Sequence, residues 1–136
     1  MDFTKTALEL EKYRAYLCEI SKEDITHIIK SVIFYLEQKK IFQEEELKKI
    51  NLTVLTNESF NNLYFKYNKE RLLLAGSIYL QERDDLTFTI SLCHHFKMRN
   101  PLIVQVSNPQ QSEILDIFHQ TLNENQLKND FIKTIQ

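Results

Sequence analysis

The chain holds one glycine, Gly76, and two prolines, Pro101 and Pro109, in 136 residues. Glycine supplies the left-handed backbone of tight turns, and proline interrupts helices and strands. A chain this poor in both is built from long regular elements joined by polar turns. Phosphate-cradling loops need glycines a few residues apart, so Walker and dinucleotide fingerprints are excluded. No zinc-finger, helix-turn-helix or hydrolase signature stands in the sequence either.

The elements follow from periodicity. Leu10, Tyr13, Leu17 and Ile20 recur at helical steps and predict a helix over 4–19. Ser21 and Asp24 form a capping-box pattern opening a second helix to about Gln38, with a stripe of Ile25, Ile28, Ile29, Val32 and Leu36. These two form an N-terminal αα-hairpin. "FQEEELKKI" reads as a short helix with acids early and lysines late, as the helix dipole prefers. "NLTVLT", 51–56, alternates as a strand, and 57–68 fits a short helix or a strand, the helix having the more complete stripe.

"RLLLAGSIYLQ", 71–81, and "LTFTISLCHHF", 86–96, flank the polar "ERDD" and predict a central β-hairpin. Even-numbered residues of both strands share the buried face, and Gly76 lies on it mid-strand. "LIVQVS", 102–107, alternates as a further strand. Asn108 or Ser107 caps a following helix with Pro109 at its first position. "NENQ", 123–126, reads as a capping box opening a last helix that carries Leu127, Phe131 and Ile135. The expectation is therefore one α+β domain over 1–136, with an antiparallel sheet of about four strands and two C-terminal helices.

The residues able to do chemistry cluster in "SLCHHFKMR", 91–99. On a strand, Cys93 and His95 point one way and His94 the other, so the three cannot ligate one ion unaided. His27 and His119 are predicted on helices at no metal-ligand spacing. Cys93 with His95 two residues on could form a thiol–imidazole pair, but a nucleophile also needs a lowered thiol pKa and an oxyanion hole. No metal or cofactor is expected. Thr87, Thr89, Ser91, Cys93 and His95, extended by Ser77, Tyr79 and Gln81, would make a polar sheet face suited to a partner or to solvent. Asp84 and Asp85 sit at the expected hairpin tip. Phe34 lies on the outer side of the second helix, where the last helix or an interface is expected to cover it.

The net charge is −2 and well mixed along the chain, which argues against a duplex nucleic-acid footprint. Two distant cysteines, no leader pattern and no apolar run near the ~20 residues of a membrane span predict a cytoplasmic location and no membrane. This profile suits a non-enzymatic protein that binds, and neutralises or escorts, a partner protein, in the manner of an immunity protein or phage-type inhibitor. Phe34, Tyr79, Asp84, Asp85 and His95 are its candidate anchors. A small-molecule module or small enzyme, with a pocket around Gly76, His94 and Tyr64, is the alternative. A homodimeric structural component is the third reading.

Overall fold

The computed structural model describes residues 2–56 and 78–135. Asp2 accepts from the Lys5 amide and opens α1, Phe3–Glu11. The helix expected over 4–19 breaks at Lys12–Tyr13, and α2 resumes over Arg14–Glu19. α3, Lys22–Gln38, opens on Ser21, whose hydroxyl accepts from the Asp24 amide at 3.0 Å, and buries Ile25, Ile28, Ile29, Val32 and Leu36. α4, Glu44–Asn51, follows with a capping box between Gln43 and Glu46. It runs into a π-helical turn at Leu52–Thr56, where a strand was expected. The short helix expected within 57–68, the strand residues 71–77 and Gly76 lie outside the described residues.

The second half overturns the expected antiparallel sheet. Residues 86–96 are not a strand: α5 spans Asp85–Lys97. Between β1, Ile78–Gln81, and β2, Leu102–Gln105, a helix makes the two strands parallel. α6, Pro109–Glu124, carries the chain to β3, Ile132–Ile135, again parallel, where a last helix was expected. The strand order is β1-β2-β3, with Ile78 beside Leu102 and Leu102 beside Ile132. The fold is helix-rich with a small parallel sheet, and mixed α and β only in that sense.

Why α5 is a helix can be seen in its burial. Phe88, Leu92 and Phe96 are spaced by four, and so are Thr89, Cys93 and Lys97; all six are buried. A step of four satisfies a strand's period of two and also returns a helix to nearly the same face. Asp84 breaks the tie. Its carboxylate accepts from the Thr87 amide at 2.8 Å and the Thr87 hydroxyl at 2.7 Å, an N-cap, in a turn that lacks the glycine a tight hairpin favours. β-branched Thr87, Thr89 and Ile90 weaken the helix locally, and burial overrides them.

One core joins these elements. Leu80, Leu102, Val104 and Ile132 lie on one sheet face and pack with Phe88, Leu92 and Phe96 of α5, Ile114, Ile117 and Phe118 of α6, and the α3 stripe. Phe96 meets Phe118 edge-on at 5.2 Å and stacks on Phe131 at 6.0 Å. Ile103 and Tyr79 face the other side, where the Phe3 ring of α1 contacts Tyr79 at 5.4 Å. No described helix is long and apolar enough to cross a membrane.

Candidate functional site

Both βα turns lie at the carboxyl end of the sheet, and Gln111 ties them together. Its side chain is fully buried. The amide donates to the Glu82 carbonyl at 2.8 Å and to Asp85 Oδ1 at 3.2 Å, while Oε1 accepts from the Ser107 amide at 2.9 Å. Asn108 caps α6 by accepting from the Gln111 amide at 2.9 Å, and its Nδ2 donates to Asp85 Oδ1 at 2.8 Å. Ser107 Oγ adds a bond to the Glu82 carbonyl at 3.1 Å. Such a network holds two helix N-termini in fixed relation, because breaking any member strands a partly buried polar group.

Against this clamp lies a cleft of about 420 Å³. Arg83, Asp84, Asp85 and Leu86 form one wall, Asn108 and Gln110 another, and Ile41, Phe42 and Glu46 the third. Glu46, Asp84 and Asp85 line it together with Arg83. Among the described residues, the hydrogen bonds to Asp84, Asp85 and Glu46 engage one oxygen of each. The Thr87 hydroxyl and amide hold the Asp84 carboxyl below its usual range, with a smaller contribution from Lys49. The cleft is thus an anionic, hydrogen-bonded surface with an apolar flank from Ile41, Phe42 and Leu86.

The five anchors expected from sequence are scattered. Asp84 and Asp85 are not a hairpin tip; they are the cap and first residue of α5, and they share the cleft. His95 does not stand on an outward strand face. It is half-buried near the end of α5, beside Asn100. Tyr79 is on β1, 47% exposed, its hydroxyl donating to Gln81 at 3.1 Å. Phe34 is 54% exposed on α3 with its ring against Tyr35, and the last helix expected to cover it does not form. The polar sheet face does not form either, since Thr89 and Cys93 are buried in the α5 core.

The histidine–cysteine stretch is not an assembled nucleophile. Burial pushes the Cys93 thiol up to about 12, so it stays protonated at neutral pH. Burial, with neighbouring His95 and Lys97, brings His94 down to about 4. Among the described residues no group of three His, Cys, Asp or Glu could hold a metal ion. A second polar cluster, not foreseen from sequence, lies at the amino end of β2. There Arg14 Nη1 donates to Asn100 Oδ1 at 3.1 Å, and Arg14 pairs with Glu11. Its members are 86 residues apart in the chain, which no local pattern reveals. No protein-family model, curated protein or solved structure matches the chain.

Proposed function

We propose that this protein is a non-enzymatic binder that neutralises or escorts a partner protein, and that it receives a basic segment of that partner in the cleft between α4, α5 and α6. The observation that supports this reading is the convergence of Glu46, Asp84 and Asp85 on one 420 Å³ cleft, with a single arginine, Arg83, among its lining residues. Two of these carboxylates are held in place by the α5 cap and the Gln111 clamp. A lysine or arginine entering such a site meets oriented acceptors and loses little extra side-chain entropy on the acidic side. The apolar flank would hold the stem of that side chain.

The test is affinity capture from native cells, followed by cross-linking and by the double variant D84N/D85N. Asparagine keeps both the cap and the acceptor oxygen while removing the charges. Supporting results are a stoichiometric partner whose basic residues cross-link to the cleft, and a loss of affinity of about tenfold or more in the variant. A partner held equally well by D84N/D85N, or none captured, rejects the reading. A small cationic ligand is the second reading, favoured by the cleft's position at the carboxyl ends of parallel strands. Thermal stabilisation by small amines without any protein partner would select it.

A further inference from the structure

Among the described residues, three helices end in the same turn. The amide of Ile41 donates to the Leu36 carbonyl at 3.2 Å, that of Leu127 to Leu122 at 2.9 Å, and that of Asn100 to His95 at 3.0 Å. Each turn is made by one residue in the left-handed region, Lys40, Gln126 and Arg99 respectively. In this C-terminal motif the two residues joined across the turn usually pack as an apolar pair. Leu36 with Ile41 and Leu122 with Leu127 keep that rule. His95 with Asn100 breaks it, and their side chains meet through Asn100 Nδ2 and His95 Nδ1 at 3.4 Å. Behind Asn100, which is 3% exposed, come buried Arg14 and its partner Glu11. A rule kept twice and broken once, with a partly buried charge pair at the exception, marks a function beyond packing.

We propose that Glu11, Arg14, Asn100 and His95 form a proton-sensitive latch that holds α1 and the start of α2 against the end of α5. Arginine offers only donors, so Asn100 must turn its oxygen to Arg14 and its NH2 to His95. His95 Nδ1 must then accept, which sets the neutral ring with its proton on Nε2. Protonating Nδ1 sets N–H against NH2. Turning the Asn100 amide over sets NH2 against the guanidinium instead. One contact is lost either way.

Charged and titratable groups surround the latch. His94 lies on α5 with its ring 5.6 Å from that of His95. Lys97 donates to the Val54 carbonyl, and Arg99 donates to the Ile20 carbonyl at 2.9 Å. Lys97 and Arg99 are the cations on this side, His94 being neutral at that pH, and the Glu11 carboxylate is paired with Arg14. Burial also holds His95 below the usual histidine range. The Arg99 tie to Ile20 does not pass through His95 or Asn100, so acid opens the α1 side and leaves the end of α2 attached.

The experiment is an NMR titration of the full chain from neutral pH into the acid range, reading the His95 ring nitrogens and amide exchange over α1 and α2. The expected result is the Nε2–H form at neutral pH and a tenfold or greater rise in exchange for residues 7–17 as His95 titrates. H95Q, which can still accept from Asn100, should keep the neutral protection and lose the rise. N100D should lift the His95 pKa by one unit or more, since a carboxylate accepts from both neighbours. The Nδ1–H form at neutral pH, an exchange rise unchanged in H95Q, or an unshifted His95 in N100D would overturn the latch.

Discussion

At the scale of single residues, Lys40, Arg99 and Gln126 stand where glycine is usual, at φ of 56°, 62° and 59°. A side chain in that region costs roughly 1–2 kcal/mol, and the closing hydrogen bonds and core packing on either side offset it. The near-absence of glycine thus did not remove tight turns; it hid them. "NENQ" resembled a helix start because Asn and Gln also serve at helix ends. His94 yields a prediction at this scale. Its folded-state pKa, near 4, lies below the ordinary histidine value of 6.5, so the folded protein binds fewer protons than the unfolded chain between those values. Its contribution is present above pH ~6.5 and is lost as pH falls through ~4. With solvent screening allowed for, we expect about 1–2 kcal/mol of acid destabilisation from this group. Urea unfolding at several pH values should show a shallower acid slope in H94Q than in the parent.

At the scale of elements, legibility depended on whether the deciding signal was local. α3 and α6 were readable because a stripe at helical spacing and a cap at its start lie within a few contiguous residues: Ser21 for α3, Asn108 and Pro109 for α6. α5 was not, because its core residues at 88, 92 and 96 satisfy both periods. The discriminating features were present but small: Asp84 as a cap, a turn lacking glycine, and His94, His95 and Lys97 in the last helical turn, where the dipole favours positive charge. D84A should lower the melting temperature, and D84N should leave it nearly unchanged, because asparagine caps as well as aspartate does. Equal destabilisation by both would mean that charge, and not the cap, holds the start of α5.

At the scale of the whole molecule, Gln111 is the residue on which the candidate site depends. It joins the turn after β1 to the turn after β2, and so sets the relation between Asp85 and Asn108 on two walls of the cleft. Q111A leaves the Ser107 amide without its acceptor and removes one donor each from the Glu82 carbonyl and Asp85 Oδ1, and we expect a loss of about 2–3 kcal/mol in chemical denaturation. A loss under about 0.5 kcal/mol would show that water replaces the clamp without strain. From sequence, Gln111 was only one more polar residue in the first turn of a helix. The pairing of Asp84 with Asp85 was legible as an acidic turn, but its junction with Glu46, some forty residues earlier, was not.

What the sequence alone determined is what contiguous residues can decide: the α3 and α6 stripes, their caps, the alternation of β2 and the mixed charge. The tertiary structure decided the rest. It chose helix for 85–97 and strand for 132–135, because a strand is stable only beside its partners, and Ile132 finds Leu102 thirty residues away. It also made the sheet parallel, since a helix between two adjacent strands carries the chain back to its starting edge. By that crossover it gathered two helix starts at one end of the sheet and the Arg14–Asn100 cluster at the other.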